Sequence, residues 1–166
     1  MSTWEISKFK KWISKGCPID TSVEILELSA SELVSLPENI GNLRVLCVLR
    51  IDNNLLTYLP DSIGTLTYLR ELYVQDNKLS SLPSSIGDLL NLEYMDVTGN
   101  NLKSLPESIT KLTSLRHLGL NRNKLTSLPE NFGNLSSLQY LNISVNKLTS
   151  ITNSIGDLKA LMMLCI

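Results

Sequence analysis

Residues 69–91 read LRELYVQDNKLSSLPSSIGDLLN, and this pattern returns in register every 23 residues from Val23 to Ile166. Units begin at Val23, Leu46, Leu69, Leu92, Leu115 and Leu138, and a truncated seventh begins at Leu161. Pro37, Pro60, Pro83, Pro106 and Pro129 keep the step, as do Asn54, Asn77, Asn100, Asn123 and Asn146. The shared form is L-x-x-L-x-L-x-x-N-x-L-x-x-L-P-x-x-I-G-x-L-x-x. A fixed period in this range specifies a solenoid, in which each unit buries its apolar face only against its neighbours.

Each part of the unit has a physical task. The L-x-L segment, such as Leu72 and Val74 around Tyr73, has period two and predicts a short strand with its aliphatics inward. Successive units run in one direction, so the predicted sheet is parallel, with seven strands about 29 Å across at roughly 4.8 Å per interval. The asparagine stands where the chain leaves the strand. Its amide is expected to satisfy backbone groups of its own and the neighbouring unit, forming a ladder. Proline cannot donate to a sheet and suits the convex return. The P-x-x-I-G-x-L segment is too short for a full helix and predicts a 3₁₀ or single helical turn.

These residues, 23–166, resemble the leucine-rich repeat. The L-P-x-x-I-G form is similar to the Ras-group repeats of intracellular signalling scaffolds. The resemblance implies an α/β solenoid, curved and right-handed, with a parallel sheet on its concave face and 3₁₀ turns on its convex face. It implies a non-enzymatic module that binds a protein or peptide on the concave face, in a signalling or scaffolding role, with a small GTPase or phosphatase as plausible partner. A second reading makes the chain the recognition part of a larger enzyme, such as a kinase or ubiquitin ligase. The repeat is broken at Ser31 (asparagine elsewhere), Thr110 (glycine elsewhere) and Ile151-Thr152 (Leu-Pro elsewhere).

Composition narrows the function classes. Fifteen basic residues against sixteen acidic ones give a net charge of −1, which leaves no electrostatic footprint for nucleic acid. Cys17, Cys47 and Cys165 are odd in number and form no Cys-x-x-Cys or Cys/His cluster, so neither a zinc site nor a disulfide cap is expected. That usage fits a reducing, cytoplasmic setting. No segment has the apolar run of a signal peptide or membrane span, and no cofactor motif is present.

Residues 1–22 are expected to cap the first repeat. STWEISKFKKWISK (2–15) predicts an amphipathic helix, with Ser2 and Glu5 as a capping box, Ile6, Phe9 and Ile13 on one face, and Trp12 beside them. A basic membrane-surface helix is the competing reading of this segment. At the other end, Met162, Met163, Cys165 and Ile166 fill the strand of the partial seventh repeat. An exposed parallel edge of this kind invites pairing with a second copy of the chain.

The strand positions that do not face the core form the concave surface, and these do not repeat. Arg50, Arg70, Glu71, Tyr73, Tyr94, Asp96, Arg116, His117, Asn121, Tyr140 and Asn142 are the candidate partner-binding residues. Tyr and Arg are the types enriched at interface anchors. A second column, Lys78, Lys124 and Lys147, marks one rim as a basic stripe. Asp96, His117 and Ser144 lie in order on adjacent strands, but an open sheet offers no oxyanion hole and excludes no water, so no catalytic residues are assigned.

Overall fold

The computed structural model describes residues 1–166. Eight short strands form one parallel sheet in sequence order: β1 (Thr3–Glu5), β2 (Ile25–Glu27), β3 (Val48–Arg50), β4 (Glu71–Tyr73), β5 (Tyr94–Asp96), β6 (His117–Gly119), β7 (Tyr140–Asn142) and β8 (Met163–Cys165). From β2 onward each strand is in register with residues 23 later, as Leu49 with Leu72 and Leu118 with Leu141. The period of the sequence is therefore the register of the sheet. Five-residue 3₁₀ turns such as Asp61–Thr65 and Ser84–Asp88 line the opposite side, each opened by a proline in extended conformation. One continuous core runs between the two layers from Trp4 to Leu158, and most of its leucines are fully inaccessible.

The asparagine ladder forms as expected, and its reach is specific. The Asn100 amide donates to Val97 O in its own unit and to Val74 O in the preceding one, both at 3.0 Å. Its Oδ1 accepts the Leu79 N–H at 2.9 Å. Asn77, Asn123 and Asn146 repeat this pattern. Asn54 repeats it too, donating to the carbonyls of Leu28 and Ile51 and accepting the Leu33 N–H, and it also accepts the Ser31 N–H. Ser31 stands where an asparagine would have had only the short strand β1 beyond it. Its hydroxyl turns to the carbonyl of Ser29 instead.

The N-terminus corrects two expectations. The sheet has eight strands, not seven, and at about 4.8 Å per interval it extends roughly 34 Å. The extra strand is β1, in residues assigned to the helix. Thr3, Trp4 and Glu5 pair with Ile25, Leu26 and Glu27, and the carbonyl of Ser2 accepts the N–H groups of Glu24 and Ile25. The capping box does not form: Glu5 occupies the helix N-cap with extended backbone and no side-chain cap. Pairing satisfies an otherwise bare edge of β2 and buries Trp4, which outweighs one local cap. The helix α1 is shorter, Ile6–Ser14, and buries Phe9 and Trp12, with Ile6 half-covered and Ile13 at the rim. Its apolar face is spent on the solenoid, which removes the face that a membrane-surface helix needs. The Asp20 carboxylate fastens cap to repeat. Burial works against its charge, but hydrogen bonds from the amide and hydroxyl of Ser22 and the amide of Val23, with Lys8 nearby, hold its pKa below the usual value.

The breaks in the repeat have local consequences. Thr110 replaces a glycine that elsewhere lets the next turn approach, and the turn after it shrinks to Phe132–Asn134. Thr152, in the place of proline, opens the last turn with a similar φ of −59° and donates its hydroxyl to the carbonyl of Glu130.

One position of the repeat is more constrained than its variability implies. The residue before each ladder asparagine, and before Ser31 in the first unit, has a left-handed backbone throughout: Ala30, Asn53, Asp76, Gly99, Arg122 and Val145, with φ between 50° and 68°. These residues are therefore not free concave-surface choices. Val145 is the strained member, since a β-branched side chain is an outlier in this region. Val145→Asn is expected to raise stability by about 1 kcal/mol, read by denaturant unfolding; an unchanged or lower midpoint contradicts that assignment.

Candidate functional site

The register of the sheet places side chains 23 apart in sequence next to one another on the concave face. One column runs Glu71, Tyr94, His117, Tyr140, Met163. The next runs Glu27, Arg50, Tyr73, Asp96, Gly119, Asn142, Cys165. In the first, the rings stack. Tyr94 and His117 lie 4.3 Å apart at 13°, and His117 and Tyr140 lie 4.3 Å apart at 5°. Tyr73 joins from the second column at 4.7 Å from Tyr94, and the Arg50 guanidinium covers the Tyr73 ring at 4.8 Å. The structure thus brings five of the predicted binding residues into one unbroken strip across five strands. Tyr94, His117 and Tyr140 are nearly parallel and meet face to face, while Tyr73 is tilted by 31° against Tyr94.

Burial within the strip shapes its acid–base behaviour. It pushes the Tyr73 phenol up to about 12, helped by the Glu71 carboxylate that accepts its hydrogen bond at 2.9 Å. It raises Tyr94 too, with Asp96 and Glu71 adding to the effect. For His117 burial lowers the pKa, and the nearby Asp96 opposes this without reversing it. His117 is the chain's only histidine. A lowered native pKa means that the unfolded state binds the proton more readily, so stability falls as pH drops through about 6.5, the unfolded value. Between pH 7.5 and 5.5 the wild type is expected to lose more stability than His117→Asn. A histidine-dependent gain on acidification would show that the tyrosine faces stabilise the imidazolium instead.

The flanks of the strip are ionic. Glu93 bridges Arg70 at 2.5 Å and Arg116 at 3.8 Å, a ladder over three strands. Arg50 pairs with Glu27 at 3.7 Å, and Arg122 reaches Asp76 at 4.0 Å. The Asp96 carboxylate accepts the Thr98 N–H at 2.9 Å and lies against Gly119, where an added Cβ would come within 2.5 Å of it. Asn121 Oδ1 accepts the Thr98 hydroxyl, and Asn142 accepts that of Ser144 while donating to the Tyr140 oxygen. Sequence reasoning missed the part of Gly119, although its concave position within the period marks it.

The remaining candidates lie apart from this strip. Met163 and Cys165 of β8 continue its two columns, while Met162 and Ile166 are largely exposed. Ser144 is bonded to Asn142, and His117 is held between two tyrosines. No three His, Cys, Asp or Glu side chains are grouped to hold a metal ion, and no helix is long and apolar enough to cross a membrane. Cys17, Cys47 and Cys165 are free thiols; burial raises the pKa of Cys17.

Comparison with known proteins gives a consistent answer. Two family models match, one described as a leucine-rich repeat region over residues 107–166 and one as leucine rich repeat over residues 67–125. No curated protein matches the sequence. A leucine-rich repeat protein of Leptospira interrogans superposes with a TM-score of 0.71 at 34% identity, over 85% of this chain and 42% of that one. An internalin of Listeria monocytogenes gives 0.73 at 23% identity, over 86% and 41%, a likeness of fold. The ectodomain of the Arabidopsis thaliana membrane receptor kinase GASSHO1/SCHENGEN3, solved in complex with CASPARIAN STRIP INTEGRITY FACTOR 2, gives 0.74 at 29% identity, over 96% and 19%. The chain spans less than half the length of each of these solved chains. Unbroken 23-residue register, the asparagine ladder and these matches agree: the chain belongs to the leucine-rich repeat proteins.

Proposed function

We propose that this chain is a recognition module that holds a protein or peptide partner on its concave sheet, in a signalling or scaffolding role. The leucine-rich repeat fold is typical of protein–protein interaction modules, and the receptor ectodomain above was solved with a bound factor. The observation that carries the reading is the ring strip of Tyr73, Tyr94, His117 and Tyr140. The repeat requires only that these positions be compatible with a strand. Three stacked rings and a fourth in contact with them, all at non-repeating positions, exceed that requirement, and rings of this kind form rigid anchors at low entropic cost.

The test is affinity capture with the intact chain and with a Tyr94→Ala/His117→Ala variant. Each anchor is expected to contribute about 2 kcal/mol, so capture should weaken at least tenfold. The fold should persist, because the core beneath is built from Met95 and Leu118, which the variant leaves in place. A folded variant that captures the same partner equally well contradicts the proposal.

A further inference from the structure

The charge on the concave face is uneven in a way that the ring strip does not explain. Seven carboxylates (Glu24, Glu27, Asp52, Glu71, Asp76, Glu93 and Asp96) share this face with four arginines, although the whole chain is within one charge of neutrality. All four arginines are engaged: Arg50 with Glu27, Arg70 and Arg116 both with Glu93, and Arg122 with Asp76. Glu24, Asp52, Glu71 and Asp96 are left with no basic partner. They fall on four consecutive units: Glu24 just before β2, Asp52 just beyond β3, and Glu71 and Asp96 beside the rings.

The local hydrogen bonding points the same way. The Ser29 hydroxyl lies 2.6 Å from a Glu27 oxygen and 2.7 Å from an Asp52 oxygen. A hydroxyl has one hydrogen, so it serves only one of these carboxylates at a time, and Asp52 also accepts the Asn53 side-chain amide at 2.8 Å. Glu71 has a single donor in the Tyr73 phenol, and Asp96 a single donor in the Thr98 amide. A carboxylate has about four acceptor sites. Glu71 and Asp96 are therefore short of donors as well as of positive charge. An acidic partner would meet excess like charge and arginines already paired.

We infer that the concave face takes a cationic segment, an extended stretch of chain carrying Arg or Lys side chains, with its charges on Glu71 and Asp96 beside the rings. This deepens, and rests on, the concave-face reading above. Guanidinium offers five donors in a fork that fits a carboxylate, which is what these groups lack. Glu71 and Asp96 are one strand interval of about 4.8 Å and two residues of strand apart, roughly 8 Å, so about three extended residues span them.

A random peptide library displayed on phage and selected on the immobilised chain tests this. Peptides that bind wild type and lose the Tyr94→Ala/His117→Ala variant are expected to be rich in Arg and Lys. They should bind about tenfold more weakly to Glu71→Gln/Asp96→Asn and weaken steeply with added salt. Peptides that depend on the rings but are neutral or acidic overturn the cationic assignment and leave the concave-face reading standing. Basic peptides indifferent to Glu71→Gln/Asp96→Asn also overturn it. Failure to select any ring-dependent peptide overturns the concave-face reading, and the cationic assignment with it.

Discussion

Asn100→Ala is expected to cost about 2 kcal/mol, a loss on the scale shared by the buried asparagines of the ladder. The substitution removes little apolar contact. Three backbone groups bond the Asn100 amide: the N–H of Leu79 loses its partner outright, while the carbonyls of Val74 and Val97 each lose one donor and keep the amides of Asn77 and Asn123. Asn100 is buried, so water does not replace these bonds freely, and an orphaned buried group costs roughly 1–3 kcal/mol. Two of the three groups belong to the preceding unit. The loss therefore falls on the coupling between neighbours, on which a solenoid depends. Asn146→Ala provides the comparison. It makes the same bonds but is only half-buried, so about 1 kcal/mol is expected. Denaturant unfolding of both variants gives the answer; equal losses at the two sites would show that burial of the ladder does not set its strength.

Gly87→Ala is expected to cost about 2–3 kcal/mol for a different reason. A Cβ on Gly87 would stand 2.7 Å from both the carbonyl carbon and the Cβ of Ser108, and closer still to the Ser108 carbonyl oxygen. That oxygen is backbone in the next convex turn and cannot rotate away, so the turns must part and the core beneath them loosens. Gly64 meets Ser85 in the same way. Gly156 occupies the equivalent place in the last full unit with nothing within 4 Å. Gly156→Ala is therefore expected to be neutral or stabilising by about 0.5 kcal/mol, since alanine narrows the unfolded ensemble. A similar loss at both positions would mean that glycine serves backbone freedom here rather than close approach.

The fold was legible because the physical demands of stacking recur at one step. Leu72, Asn77, Pro83, Ile86 and Gly87 each meet a neighbour of the same kind 23 residues away, so one unit read correctly gives the others. The concave columns were legible by the same arithmetic: Tyr94, His117 and Tyr140 are 23 apart. Their stacking and the arginine pairings depend on side-chain rotamers, which spacing does not encode. Strand β1 was hidden because Ser2 and Glu5 imitate a capping box at the right spacing, while the demand that overrides it comes from β2, more than 20 residues on. The left-handed position before the asparagine was hidden because Ala30, Arg122 and Val145 do not look like residues chosen for it. Asn53, Asp76 and Gly99 were the available hint.

The division that emerges is between repeating positions, which hold the units together, and non-repeating concave positions, to which the proposed function assigns the partner. His117 sits at the centre of the second set and is the only histidine in the chain, so its imidazole gives one assignable set of NMR resonances. Titrating the labelled chain with its captured partner places a probe in the middle of the ring strip. The account predicts that the His117 resonances shift or broaden in proportion to the fraction bound. Imidazole resonances that stay unchanged at saturation would place the partner elsewhere and contradict it.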